Sequence, residues 1–485
     1  MKKYVPGNID LDKLIQDSGM SKIKGFHPDK LVLLLSEIAE KPITSSGFAE
    51  IHSKRLQSFV HNYKEYLDPF YAIGIIEQDK SFSYELYSKV CGYKFSEKYS
   101  STVKGAEIEY PPLVRKIAKE KAKKLKTCKR NKHLVKWFNS SLTVDHDQAV
   151  SYLPVYNEEK KKEQELLADK RRIISNTWYE NYSIKCLELQ WCECKDPDES
   201  YRKAFISIDR INDHDYSLST DTTVNRFYST ITLMPSDFRN FLRYDGKELV
   251  CLDIRNSQAF FSLGLLKEEN IEEIIQVAEK LNKRDSKLCY KRRYQPPNLP
   301  SSSIILVKSL QSIDSQEIER YKKLVLSGKI YDYFEQAVRE DLGITYPSRK
   351  VLKKEFFRVL FSSNRFFGQP AAAPKRIFQK HLPGIYEYFS QLKRLHPDII
   401  PIVLMRRESY AVLQCITKRI SKEHPEVPLL TIHDGIATTR ENVDLVESVI
   451  HEELKALTGY SPKLKSEVWN YKNLKYYSKW RQNQT

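Results

Sequence analysis

The chain has 485 residues, a formal net charge of +17 and a pI near 9.2, and 41% of its residues are hydrophobic. The hydrophobic content excludes a wholly disordered chain, the length predicts two or more packed lobes, and the charge predicts a polyanionic partner. No apolar run approaches the roughly 20 residues of a membrane span, and no signal segment follows the N-terminal lysines, so we expect no membrane partner.

Eight cysteines without paired spacing indicate a reduced, cytoplasmic setting. Cys186, Cys192 and Cys194 leave a zinc site open, although no histidine lies at ligand spacing.

Residues 1 to about 110 have helix-like apolar spacing and nothing at catalytic spacing. A basic segment follows from Arg115 to Lys136, in which apolar and aromatic side chains alternate with the cations. One interpretation is a solvated, lysine-rich helix face. The other is a helix that follows a phosphate backbone, with nucleic-acid contacts from Lys123, Lys126, Lys129 and Arg130.

Two later stretches each end an apolar strand on an acid. From Ala204 to Asp215 short β-like runs predict a domain boundary near residue 205, and the apolar strand that ends on Asp253 follows. Downstream, two β-favouring runs flank the turn His433-Asp434-Gly435, which is typical of a hairpin. Two strand ends that each deliver a carboxylate are what a two-metal phosphoryl-transfer site requires.

Between these stretches, Pro347-Ser348 is a plausible start for a helix. Four residues then recur at four-residue steps and form one stripe along that helix: Arg349, Lys353, Phe357 and Phe361. Two cations one turn apart can bind a triphosphate, and two rings further along can pack a base and a sugar. The alternative is that the rings belong to the core and the cations are solvated.

In this order the segments resemble the polymerase domain of family A DNA polymerases and of the related single-subunit phage-type RNA polymerases. The resemblance rests on Asp253 with Ser257-Gln258, on the stripe that begins at Arg349, and on Ile432-His433-Asp434. The stretch from Arg226 to Thr230 is similar to the family's contact with the primer-template duplex, and the whole resemblance covers about residues 220–470.

The resemblance implies an α+β, right-hand polymerase fold. We expect residues 1–205 to be a largely helical N-terminal region that includes the thumb. Residues 206–268 and 395–485 would form the palm and the C-terminal tail, and residues 269–394 the helical fingers. Because no acid pair on an apolar strand precedes residue 205, we expect no proofreading exonuclease domain.

The resemblance also implies a nucleotidyltransferase that uses nucleoside triphosphates and two Mg²⁺ ions, with Mn²⁺ left open. The metal ligands would be Asp253, Asp434 and the carbonyl of Ile254. The resemblance implies that Arg349 and Lys353 bind the phosphates of the incoming nucleotide and that Lys353 protonates the leaving group. Phe357 would stack on the incoming nucleotide, and Phe361 would lie at the template-pairing position. His433 would contact the primer end. The partner would be DNA, as a primer-template or a single strand, with RNA open. Its further contacts would be Arg226, Ser229, Gln258 and Gln414.

Three positions depart from the family. No Glu lies between Asp253 and Lys267 to guard the sugar, Phe361 stands where the family has Tyr, and Gly435 stands where the DNA polymerases have Glu and the RNA polymerases Ser. If Ser257-Gln258 is aligned with the family's Ser-Gln, the guard position falls on Phe260. Its ring would exclude a 2′ oxygen by contact, which favours deoxynucleotides; otherwise Phe260 belongs to the core.

Several other functions stay open beside a DNA polymerase. They are a single-subunit RNA polymerase or primase, an untemplated terminal transferase, and a non-catalytic nucleic-acid-binding replication protein. A mobile element or a phage would suit so compact a polymerase.

Overall fold

The computed structural model describes residues 1–44, 46–79, 90–100, 102–288 and 299–483. Two hydrophobic cores organise these residues: the smaller contains mostly residues before 118, and the larger contains residues after 127. The smaller core lies among ten elements: β1 (Lys2–Pro6), α1 (Leu11–Asp17), α2 (Pro28–Glu40), β2 (Ala49–His52), α3 (Ser53–Phe59), α4 (Tyr63–Ala72), β3 (Ile76–Asp79), β4 (Val90–Phe95), α5 (Glu97–Ser100) and β5 (Val103–Glu107). Strands β1 and β5 pair with each other, and β2, β4 and β3 form a second antiparallel sheet. The N-terminal region therefore contains more sheet than its predicted helical character implies.

Six elements link the two cores: α6 (Pro111–Thr127), α7 (Lys132–Val135), β6 (Leu142–Val144), α8 (His146–Asn176), α9 (Tyr182–Trp191) and α10 (Pro197–Asn212). The β-like runs predicted from Ala204 onward are wrong, because α10 is helical there. Its Ala204 and Ile208 lie in the larger core, whereas Ile206 lies in the smaller one. A helix held between two cores buries apolar residues on opposite faces, which imitates the alternation of a strand. The cores divide near residue 117 and not near the predicted boundary at 205.

The central sheet is antiparallel and consists of six strands, β6 and β9 to β13. Its order is β11-β12-β10-β9-β6, and β13 pairs with β10. The elements that build and connect it after α10 are β7 (Ser219–Thr220), β8 (Phe227–Tyr228), α11 (Thr230–Leu233), β9 (Leu242–Tyr244), β10 (Lys247–Ile254) and α12 (Ser257–Ser262). From Leu249 to Asp253, β10 pairs with both β12 and β13, so the strand that ends near Asp253 is the middle of the sheet.

The described residues between α12 and the last three strands form helices and the turns that join them. The α-helices are α13 (Ile271–Leu288), α14 (Leu299–Gln311), α15 (Ser315–Leu326), α16 (Ile330–Leu342), α17 (Arg349–Phe361), α18 (Ala373–His381), α19 (Pro383–Leu395), α20 (Ile399–Tyr410) and α21 (Thr417–Glu423). A π-helical stretch, Ala411–Ile416, joins α20 to α21. The last elements are β11 (Leu430–Ile432), β12 (Gly435–Thr439), α22 (Val443–Thr458), β13 (Leu464–Trp469) and α23 (Tyr477–Gln482).

The helix predicted after Pro347-Ser348 is present as α17, and the Ser348 side chain caps it by accepting a hydrogen bond from the Val351 amide. Within the described ranges, every helix is too short or too polar to cross a membrane. The mixture of helices with an antiparallel sheet agrees with the predicted fold class. Its division into palm, fingers and thumb stays a prediction.

Candidate active site

The sheet register brings the two predicted acids together. Asp253 lies opposite Gly435 in the β10–β12 pair, and Asp434 immediately precedes Gly435 in the predicted hairpin. A Cβ atom at residue 435 would lie 3.0 Å from Cys251 Sγ and 3.4 Å from Asp253 Oδ1. A side chain at this position would therefore require a small shift of Cys251, whereas its contact with the Asp253 carboxylate would be an ordinary one.

The backbone around this pair is unusual. Five non-glycine residues in the described ranges have a positive φ, and three of them are His433 at 56°, Asn256 at 56° and Asn225 at 59°. Asn256 follows the end of β10, and Asn225 directly precedes Arg226. Left-handed backbone is unfavourable for residues with a side chain and is often concentrated at functional sites. Three of the five lie beside one candidate site.

A cavity of about 480 Å³ opens at the two acids. Nine of the residues singled out in the sequence line it: Arg226, Asp253, Ile254, Gln258, Arg349, Lys353, Phe357, His433 and Asp434. They come from the strand ends, from α17 and from the loop before β8, which lie far apart in the sequence. Most of the predicted site residues therefore lie together around one cavity.

Both carboxylates are held in an environment that disfavours their charge. Burial, together with the negative charges of Asp253 and Glu408, raises the pKa of Asp434 well above its usual value. Burial also raises the pKa of Asp253, while Lys353 and Lys465 act in the opposite direction. The protein's own cations therefore compensate this cluster only partly, and a bound cation would stabilise the charged form of both acids.

His433 is a neutral group at physiological pH. Burial, reinforced by the positive charges of Arg226 and Arg239, lowers the pKa of His433 to about 4. Its ring packs edge-on against Tyr228 with centroids 5.9 Å apart. Among the described residues, three buried polar atoms of the site have no hydrogen-bond partner: His433 Nδ1, Gln258 Oε1 and Arg226 Nε. A ligand or water bound in the cavity would satisfy these three atoms.

Glu408 is the residue that the sequence analysis missed. It is only 2% exposed, lines the cavity, and accepts hydrogen bonds from Ser257 Oγ at 2.7 Å, from Gln258 Nε2, and from Arg226 Nη2 at 2.6 Å. One carboxylate thus fixes three side chains that border the acids. The sequence did contain an indication of Glu408. It lies four positions after Leu404 and four before Val412, so this charged residue falls on the buried face of an apolar helix.

The stripe of α17 faces the cavity through its first three members. The positive charge of Lys353 acts to lower the pKa of Asp253. Lys353 Nζ lies 5.8 Å from the centre of the Tyr331 ring, and the Arg349 guanidinium lies 5.3 Å from it. Arg349 also pairs with Asp332. Phe357 lines the cavity and stacks on Phe361, with centroids 5.4 Å apart and planes 4° from parallel. Phe361 itself does not line the cavity.

Two predicted contacts lie elsewhere. Phe260 is 3% exposed and packs against Phe261 in the larger core, outside the lining of the cavity. The sugar-guard role is therefore wrong for this structure, because α12 turns that ring inward. Ser229 is 1% exposed and forms a reciprocal capping box with Thr232 at the start of α11. Its hydroxyl is occupied by the helix end and does not line the cavity.

A second, open groove of about 700 Å³ contains other predicted contacts, Lys129, Arg130 and Gln414. The groove is lined by five cations and no carboxylate: Lys129, Arg130, Lys132, Lys418 and Lys422. Gln414 Nε2 donates to Asn131 Oδ1 at 2.8 Å and joins the two walls. Lys123 and Lys126 are exposed on the preceding helix α6, in which Leu113 is the one buried residue. The basic segment thus continues into a cationic groove.

Asp253 and Asp434 are candidate ligands for Mg²⁺. In the described ranges no three His, Cys, Asp or Glu side chains are arranged to hold a metal, and this includes Cys186, Cys192 and Cys194. Mg²⁺ usually binds through one or two carboxylates and completes its shell with water and substrate phosphates. Asp253, Ile254 and Asp434 line one cavity with Arg349 and Lys353, so their oxygens could provide such a partial shell next to cations that suit a phosphate.

No protein-family model matches the chain, and no curated protein matches it. Among solved structures, it is similar to the POL domain of Pol1 from M. smegmatis in complex with DNA primer-template and dNTP. The TM-score is 0.33 at 9% identity, and the alignment covers 74% of this chain and 73% of that chain.

Proposed function

We propose that the protein is a nucleotidyltransferase that polymerises nucleoside triphosphates on a nucleic-acid template. The observation that carries the proposal is the register of β10 and β12, which places Asp253 beside the Asp434 turn in a cavity shared with Arg349 and Lys353. Two half-buried acids that share a cavity with two cations are suited to hold metal ions on one side and triphosphate charge on the other.

Each part of the cavity has a role in this proposal. Arg349 and Lys353 bind and orient the triphosphate, after Arg349 leaves Asp332. Lys353 Nζ holds the proton that the leaving diphosphate takes up. Phe357 packs against the incoming base or sugar, and Phe361 supports that ring from behind. These groups arrange the reacting atoms, which is the main protein contribution to phosphoryl transfer.

On the opposite side of the cavity, neutral His433 and Arg226 border the primer end, and Glu408 fixes Arg226 and Gln258. Two Mg²⁺ ions, held by Asp253, Asp434 and the Ile254 carbonyl, would supply activation of the primer hydroxyl and neutralisation of phosphate charge. Mn²⁺ has similar ligand preferences and is included in the test. The cationic groove at Lys129 and Arg130 binds the phosphate backbone of the nucleic acid outside the cavity.

The choice of sugar is a separate question. Since Phe260 lies in the core, the argument for exclusion of a 2′ hydroxyl by that ring does not hold, and an RNA polymerase or primase uses the same cavity equally well. A non-catalytic replication protein is the competing class. A protein without catalytic function has no need for two half-buried acids placed together, because the repulsion between their charges destabilises the fold.

The test is nucleotide incorporation by the full chain with Mg²⁺ or Mn²⁺. Primed and unprimed DNA and RNA templates are each supplied with deoxynucleotides or with ribonucleotides. Template-dependent extension supports the proposal and identifies the sugar, and extension without a template indicates a terminal transferase. Binding of template without incorporation under any of these conditions contradicts the proposal and leaves a nucleic-acid-binding protein.

A further inference from the structure

A helical arm, defined as residues 161–191, extends from the larger core. It consists of the second half of α8, a short loop and α9. From residue 161 to 173 nearly every position of α8 is exposed, although the stretch includes Leu166 at 69% and Ile173 at 65% exposure. A helix that is exposed all round gains little from packing, so its presence indicates a partner or a bridging role.

The loop at the end of the arm is rigidly built. Lys185 Nζ donates to the Ser175 carbonyl at 2.8 Å and to the Thr177 carbonyl at 3.0 Å, so α9 closes the end of α8. Asn181 Oδ1 accepts a hydrogen bond from the Ser183 amide at 3.0 Å, and Tyr179 OH donates to Glu188. These side-chain hydrogen bonds connect α9 to the end of α8 and to the loop between them.

This braced loop presents Trp178, which is 82% exposed. The chain has five tryptophans, and Trp137, Trp469 and Trp480 are 8%, 3% and 2% exposed, while Trp191 is half-buried. Tyr182, at the start of α9, is 65% exposed. A large ring held out into water on a fixed loop serves contact with a partner better than it serves the fold.

Charge identifies the kind of partner. Lys170 and Arg171, on the last turns of α8, are exposed, and neither forms an ion pair with a described carboxylate. Exposed rings and exposed cations on one surface element are suited to single-stranded nucleic acid, since bases stack on the rings and phosphates approach the cations. Duplex DNA, whose bases are already stacked, gains much less from such a ring.

The arm lies against the helices that carry and follow the predicted nucleotide stripe. Just beyond the end of α9, Glu193 pairs with Lys354 at 3.1 Å, and Gln190 accepts from Arg358, so this end of the arm packs on a face of α17 next to the cavity-lining stripe. Ser183 Oγ lies 3.5 Å from Arg376 Nη2, on the helix that follows Phe361 in the chain. The start of α9, next to the exposed loop, is thus in contact with α18, the helix that follows α17.

We propose that the arm binds single-stranded nucleic acid, with Trp178 as the ring on which a base stacks and Lys170 and Arg171 as phosphate contacts. The occupant is the uncopied template strand, an assignment that rests on the proposed function. Stacking without base-edge hydrogen bonds predicts little sequence preference.

The test measures binding of a labelled oligo-dT and of a blunt duplex to the full chain, without nucleotides or metal. Trp178→Ala should weaken single-strand binding about tenfold, Trp178→Phe should retain most of it, and duplex binding should not change. Tyr71→Ala, at a 50% exposed ring of the N-terminal region, is the matched control. Oligo-dT should also quench the fluorescence of the unmodified protein, and Trp178→Phe should remove most of that quenching.

Equal single-strand affinity in the unmodified protein and Trp178→Ala would overturn the proposal and favour a protein partner for the arm. An equal weakening of duplex binding would also contradict it, because it would assign the ring to general binding. The two proposals fail separately: Trp178-dependent binding by a chain that incorporates no nucleotide supports the arm and contradicts the polymerase.

Discussion

Arg226 Nη2 donates a hydrogen bond to Glu408 Oε1 at 2.6 Å, and both side chains are largely buried at the edge of the candidate active site. The two residues are 182 positions apart in the chain. Their pairing joins the loop before β8 to α20 and, through Ser257 and Gln258, to the segment that follows Asp253. A single ion pair therefore holds together three parts of the proposed primer site.

Removal of one partner of this pair should destabilise the protein. Glu408→Ala leaves the Arg226 guanidinium buried without its carboxylate, and we expect the free energy of unfolding to fall by about 3 kcal/mol. The double variant Arg226→Met with Glu408→Leu should regain part of this stability, because apolar replacement of a buried pair is often neutral, whereas Ser257 and Gln258 still lose their acceptor. Denaturant unfolding measures both. Nucleotide incorporation should stay low in the double variant, and its recovery would show that the pair only supports the fold.

The cationic groove predicts a salt effect. When Lys123, Lys126, Lys129 and Arg130 are all replaced by Gln, duplex binding should weaken similarly for every sequence. The slope of log affinity against log salt should decrease by about 0.9 for each phosphate that the variant no longer neutralises. The control replaces four exposed lysines of the N-terminal region, Lys13, Lys22, Lys24 and Lys64. An unchanged slope in the first variant would contradict phosphate binding and indicate that the basic segment is a solvated helix face.

A buried lysine beyond the end of α17 predicts a dependence of stability on pH. Lys393 is 5% exposed and donates to the Val359 carbonyl at 3.2 Å, and burial, with the charge of Lys375, lowers the pKa of Lys393 to about 6. Between pH 6 and its ordinary value of 10.5, the unfolded chain binds more protons at this residue, so its contribution to stability rises with pH.

Lys393→Met should therefore raise the free energy of unfolding by about 1–3 kcal/mol at pH 7, and the gain should shrink toward pH 9. Denaturant unfolding at several pH values measures it, with exposed Lys64→Met as the control. A gain that is constant with pH would indicate better packing and no titration of the amine.

The sequence predicted those parts of the site that depend on local patterns. The strand that ends on Asp253, the turn at Asp434 and the cap of α17 at Ser348 are each determined by a few neighbouring residues. Glu408 was missed because its partners lie more than 140 positions away and only packing brings them together. Phe260 was misassigned because the direction in which α12 faces is set by the core, and α10 was misread because two cores bury opposite faces of it.

The account depends most directly on the two acids. We expect Asp253→Asn and Asp434→Asn each to reduce metal-dependent incorporation by more than about 100-fold, because each removes a charged ligand and keeps the shape of the side chain. Asp147→Asn, at a carboxylate that is 99% exposed, should have no effect. The decisive measurement is single-turnover incorporation on a primed template, with template affinity measured in parallel. Loss of incorporation with retained affinity in both variants is the predicted result, and synthesis at the unmodified rate by both would contradict it.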